Sequence, residues 1–221
     1  MLHSNAPNLS SQVFLPKKTF VICVIVLAAV VAIDLLFFAK GESFAREGGG
    51  LETMSAVFYM VAALVFFAVT PKRHWKNLWH IPALMIFFAL RELDFDKAFT
   101  TSGVLSSNLY RGDSPLMTKL IAGSVLLLFL LVLFRLVRFG GPATLRGLKA
   151  RAPWALLAIT AALTMIFSKS IDGLARKMLS FDVVVSERFG DFAGLVEEIG
   201  EAFIPVFIIL AILSRWKGHT S

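Results

Sequence analysis

A single cysteine, Cys23, in a chain of 221 residues excludes an intrachain disulfide and a thiolate metal cluster. It lies inside an apolar segment, where a thiol is expected to be buried and inert. Histidine is nearly as scarce. His3, His74, His80 and His219 all fall on stretches away from the acidic residues, which argues against a histidine general base, a serine triad or a histidine-ligated zinc beside them. Charged residues make up only 17% against 57% hydrophobic, too apolar for an ordinary soluble core. The run Gly48 to Gly50 has no Lys-Ser or Lys-Thr behind it and makes no phosphate loop. No zinc, haem or nucleotide signature, internal repeat or low-complexity tract is present.

What is there is oil in six blocks. Apolar stretches centred near Val26, Ala62, Met85, Leu127, Ala161 and Ile208 predict an all-α, polytopic membrane bundle of six transmembrane helices, with spans at about 19–39, 51–70, 77–96, 115–136, 153–172 and 195–216. Residues 1–18 read as a polar cytoplasmic tail and 217–221 as a second one. Absence of acid on one side orients the bundle. The stretches that share a side with the N-terminus carry twelve bases, from Lys17 and Lys18 through Lys72, Arg73 and Lys76 to Arg215 and Lys217, and none of the fifteen carboxylates. Lys and Arg resist translocation, so both ends are expected in the cytoplasm of a bacterial inner membrane. The same rule explains the basic net charge of +7, and no nucleic-acid partner is expected. The first segment, at about twenty residues, exceeds a signal h-region of about seven to fifteen and reads as a retained anchor.

Three of the spans run short. The uncharged apolar runs are Leu78 to Leu90, Pro153 to Phe167 and Ala202 to Leu213, whereas crossing about 30 Å of hydrocarbon takes about twenty residues at about 1.5 Å each. Every deficit lies on the outer side. The charged turns that follow or precede these runs are therefore expected to turn inward and meet, because charge facing lipid is costly. Local signals mark the boundaries: Asp113 and Ser114 before Pro115 predict a capped start for the fourth span, Gly140, Gly141 and Pro142 predict its end, and Arg151, Ala152 and Pro153 predict the start of the fifth. Leu174, Met178 and Phe181 have the spacing of a short interfacial helix. Trp75, Trp79 and His80 with Lys72, Arg73 and Lys76 read as an interfacial belt.

The outer third of the bundle thus gathers Asp34, Glu52, Glu92, Asp94, Asp172, Glu197, Glu198 and Glu201 with only Arg91, Lys119 and Lys169 to answer them. Such an excess of carboxylates in low dielectric either holds protons or holds a cation. Glu197 and Glu198 stand four and three residues before Glu201, so one helical face stacks carboxylates. Pro205 cannot bond the Glu201 carbonyl, which leaves another oxygen at that level. Asp172, three after Lys169 and four before Arg176, is expected between two cations, and Arg91 is expected to share a helical face with Asp94. Glu198, Glu201, Asp94 and Asp172 are the candidate catalytic residues, with Arg91, Lys169, Glu92 and Glu197 placed to bind substrate. An all-oxygen set of Glu198, Glu201 and Asp172 suits a divalent cation such as Mg²⁺ or Mn²⁺. The Arg91 and Lys169 ion pairs read equally well as glue between helices. Glu52 reads as a helix N-terminal acid facing water, and Asp96, Lys97 and Arg111 as solvated loop residues.

Glu197-Glu198 resembles the opening of the EExxxR motif of CAAX-type intramembrane glutamyl proteases. Ala202 stands where that motif has arginine, and the histidine motifs of that family are missing. Asp94 and Asp172 lie in neither a GxGD motif nor the surroundings of the lipoprotein signal peptidase aspartates, and the histidine set of ceramidase-like hydrolases is absent. No family is assigned. The cytoplasmic halves of the spans offer only Asn77, Thr160, Thr164 and Ser214, so the inner half is expected to be plugged. An outward-facing, carboxylate-lined site that binds or processes a membrane-embedded substrate, either a lipid, a lipid-linked intermediate or a membrane peptide, is the leading expectation. A proton- or cation-coupled carrier and a non-catalytic assembly subunit are the alternatives.

Overall fold

The computed structural model describes residues 16–37, 50–100 and 103–216, the side chains of residues 34–37 and 187 excepted. The outer parts of both tails, the turn at Gly48 and Gly49 and the side chain of Asp34 lie outside the described residues. Among those described the chain is helical throughout, without a strand. The helices are α1 (Lys17–Phe37), α2 (Gly50–Val69), α3 (Lys72–Leu78), α4 (His80–Glu92), α5 (Ser107–Arg111), α6 (Leu116–Arg135), α7 (Gly141–Lys149), α8 (Pro153–Ile171), α9 (Leu174–Leu179) and α10 (Glu187–Trp216). Each of the six apolar segments holds a helix. Three helical stretches, Gly50–Val69, Leu116–Lys149 and Pro153–Ile171, are long and apolar enough to cross a membrane, and the chain is accordingly a membrane protein.

Helices α2, α4, α8 and α10 make the central bundle, with α10 packed most extensively on α8 and α2. Small residues let the backbones approach: Ala62, Ala63, Ala89 and Ala161 are buried around Tyr59, Met85 and Ile204, as is usual where helices associate without water to drive them. At Gly200 a Cβ would fall onto Ser168 Oγ, so the α8–α10 crossing depends on hydrogen at that position. Helix α1 lies on α2 and α10 through Cys23 and Leu27, which join Phe58, Val206 and Leu210. Cys23 is free and buried. Helix α6 packs chiefly on α4 and presents Leu120, Leu127, Leu131 and Phe134 outward. An apolar surface of that kind is solvated by acyl chains in a bilayer.

Several boundaries differ from the sequence expectation, each for a local reason. The third segment is two helices: Pro82 has no N–H for the Leu78 carbonyl, and the ladder lapses at Trp79 although that residue keeps right-handed helical angles (φ −55°, ψ −27°). The segment stops at Glu92 rather than near Asp96, because Asp94 takes a left-handed φ of 48°. The fourth helix does not end at Gly140–Pro142. A π turn over Leu136–Gly140 shifts the hydrogen-bond register, Pro142 enters in the first turn of α7 where no donor is needed, and the helix runs on to Lys149. Asp113 and Ser114 do not cap it; Pro115 is itself the N-cap, and its carbonyl accepts from Lys119 N at 3.1 Å. The fifth helix starts as expected, with extended Ala152 before Pro153. Helix α10 begins at Glu187, eight residues before the expected start, so its thirty residues rise about 45 Å and carry the acidic turns as regular helix. The short interfacial helix is present as α9.

Candidate functional site

The charged turns of α2, α4, α8 and α10 converge on one cavity of about 450 Å³. Glu52 reaches it from α2, Arg91 and Glu92 from the last turn of α4, Lys169 from α8, Asp172 from the cap of α8, and Glu197, Glu198 and Glu201 from α10. All eight candidate residues, Asp94 included, line this space. They are joined by Asp96 and Lys97, with Gly103, Leu105 and Ser106 as a roof. Eight carboxylates therefore face three cations.

Lys169 is the hub. Its Nζ lies 2.5 Å from Glu201 Oε1, 3.6 Å from Asp172 Oδ2 and 3.7 Å from Glu197 Oε1. Glu201 and Glu197 keep only 13% and 16% of their side-chain surface, so the ammonium answers two acids that water barely reaches. Glu92 is still more enclosed, at 8%, and stands 3.6 Å from the Arg91 guanidinium, which is half-exposed. Glu198 differs from its neighbours: among the described residues no cation stands within ion-pair distance of it. It faces the cavity with other carboxylates around it.

Two expected pairings are replaced. Arg91 does not share a helical face with Asp94, since α4 ends between them; Arg91 pairs with Glu92, and Asp94 pairs with Lys97 at 2.8 Å. Asp172 is answered by Lys169 rather than held between two cations, because Gly173 turns the chain left-handed (φ 58°) and Arg176 packs back against that glycine. Lys119 lies away from the cavity and donates to the Gly112 carbonyl at 2.8 Å.

Sequence reasoning passed over the roof. Asp96 is not a solvated loop residue: its Oδ2 accepts from Val104 N at 2.9 Å, its carbonyl accepts from Thr100 Oγ1 at 2.6 Å, and Thr100 Oγ1 accepts from Gly103 N at 2.9 Å. Gly103 has φ 84°, a conformation that glycine alone adopts freely. Lys97 is likewise engaged. Glu52 lies in the cavity wall rather than simply facing water. Gly103, two residues beyond Thr101, was the available signal in the sequence.

The arrangement can accept a proton at Glu198, hold an anionic group at Arg91, and present oxygen ligands. Among the described residues no three His, Cys, Asp or Glu side chains are close enough to hold a metal ion as they stand, and Lys169 takes up one Glu201 oxygen. The opposite end of the bundle is the basic one. A second cavity of about 340 Å³ lies there, and His80, expected at the interface, is fully buried in its wall. The two cavities share no lining residue. Comparison of the chain with protein-family models, with curated proteins and with solved structures finds no match.

Proposed function

We propose that this chain is a six-span inner-membrane protein, both ends cytoplasmic, whose outward-facing acidic cavity binds or processes a membrane-embedded substrate: a lipid, a lipid-linked intermediate or a membrane peptide. The convergence of carboxylates from four helices under one roof carries the reading, since like charge in excess is poor glue and intramembrane ionisable groups are functional by default. Glu198 is the general base, as the carboxylate of its helix turn without a cation. Lys169 fixes Glu197 and Glu201, and the half-exposed Arg91 holds an anionic headgroup or stabilises developing negative charge. Glu92, Asp94 and Asp172 complete the polar wall. A divalent cation such as Mg²⁺ or Mn²⁺ at Glu198, Glu201 and Asp172 would require Lys169 to give way.

The separation of the two cavities favours binding or catalysis over a carrier, which needs a polar route near the midplane to both sides. The test is a Glu198→Gln/Glu201→Gln double variant, reconstituted in bilayers of native lipid extract with insertion verified. Mass spectrometry of the lipids and membrane peptides bound or converted should show a species handled by the wild type and lost in the variant. Identical profiles sink the proposal. Ion-gradient-driven uptake into the same vesicles, abolished by the double substitution, moves the assignment to a coupled carrier.

A further inference from the structure

The basic end of the bundle carries a second constellation, independent of the acidic cavity. Helices α4, α8 and α10 and the α6–α7 junction enclose the 340 Å³ chamber there, within the size range of small-molecule sites, roughly 300–1,000 Å³. Its wall along α10 runs from Ile204 to Trp216, about 18 Å of helix rise. Apart from His80, Thr144 and Arg215 the chamber wall is built of apolar side chains and glycine, a lining suited to a hydrocarbon chain.

Few polar groups stand around it. His80 is fully buried and neither ring nitrogen is hydrogen-bonded, although a neutral imidazole carries one donor and one acceptor. Arg135 stands outside the chamber wall, its guanidinium donating to the Asn77 carbonyl at 3.3 Å and lying over Trp79 at 5.5 Å and Phe139 at 5.0 Å. Arg215, in the chamber wall, stacks over Trp154 at 4.1 Å. No acidic residue lines the chamber, so the Arg215 guanidinium has no carboxylate to meet there. The chain's four tryptophans, Trp75, Trp79, Trp154 and Trp216, all sit at this end, which is where indole rings mark the headgroup level of a bilayer.

We infer that the chamber holds one acyl chain of an anionic phospholipid, with its phosphate against Arg215. The apolar lining fits the tail, and the Arg215 guanidinium, with no carboxylate in the wall beside it, fits the phosphate. Annular lipid has no such requirement for charge.

The full chain in bilayers doped with acyl-brominated phosphatidylglycerol or acyl-brominated phosphatidylcholine tests this, because bromine quenches tryptophan only on close approach. Phosphatidylglycerol should quench severalfold more than phosphatidylcholine at equal mole fraction, and inorganic phosphate should not relieve it. The excess should vanish in Ala158→Phe, which fills the chamber, and in Arg215→Gln. Equal quenching by the two lipids in the wild type overturns the inference without any variant. Relief by inorganic phosphate shows a free-anion site instead, and excess quenching that persists in folded Ala158→Phe places the lipid outside the chamber.

Discussion

Lys169 Nζ and Glu201 Oε1 are 2.5 Å apart, and the same ammonium stands within 4 Å of Asp172 and Glu197. One cation thus holds the cap of α8 to two successive turns of α10. Replacing Lys169 by Met leaves two nearly buried carboxylates unanswered. Breaking a fully buried pair costs about 3–5 kcal/mol, and since Lys169 keeps 36% of its side-chain surface exposed, a loss of about 1–2 kcal/mol is expected. Thermal unfolding in a mild detergent measures it. Adding Glu201→Gln to Lys169→Met should recover much of that loss; an additive double variant would show that the pair is not coupled.

The contact between Gly200 and Ser168 sets how closely these two helices cross. A methyl group at position 200 would meet Ser168 Oγ, and Ser168 is fully buried, with Thr164 also near. Gly200→Ala is therefore expected to destabilise by about 1–3 kcal/mol despite the better helix propensity of alanine. Ser168→Ala removes the clashing oxygen and leaves its Cβ at 3.6 Å, an ordinary contact. The double variant should thus be more stable than Gly200→Ala alone, and a melting temperature no higher than that of the single variant would refute the packing argument.

The acidic site was legible because charge in a membrane has few places to go. Arg91, Lys169, Glu197, Glu198 and Glu201 stand beside apolar runs too short to span, and their convergence follows from that alone. What could not be read was whatever depended on the chain leaving its helix. Arg91 and Asp94 lost their common face to a left-handed residue, the π turn carried a helix past Gly140 and Pro142, and the roof is held by backbone-to-side-chain bonds that have no period. His80 looked interfacial from its tryptophan neighbours. It is instead fully buried, in the wall of the cavity that Ala158, Ala161 and Ala162 of α8 also line.

The roof makes its own prediction. Asp96 Oδ2 receives the Val104 amide and Thr100 Oγ1 receives that of Gly103, so the loop closes on a carboxylate eight residues back in the chain. Asp96→Ala removes that acceptor, an effect of about 1–3 kcal/mol on local opening. Hydrogen exchange over residues 103–106 should accelerate about ten- to a hundredfold, since each factor of ten corresponds to about 1.4 kcal/mol, while exchange in α2 stays unchanged. Protection that is unaltered would mean that the roof is held by something else.

Helix α4 is the weak link in a six-span topology. Its thirteen residues rise only about 20 Å, against a core of about 30 Å. With α3 and Trp79 the stretch from Lys72 to Glu92 rises about 30 Å, and that longer unit is what can place Lys76 and Arg111 on opposite faces. Both residues are exposed, and Cys23 is the single native thiol, so Cys23→Ala carrying either Lys76→Cys or Arg111→Cys gives one reporter each. An impermeant maleimide applied to intact cells should label position 111 and reach position 76 only after the membrane is opened. The converse pattern would invert the orientation and turn the acidic cavity toward the cytoplasm. Labelling of both from one side would mean that α3 and α4 do not cross, in which case the carboxylates and the tryptophans would lie on a common face and the division between an acidic outer end and a basic inner end would fail.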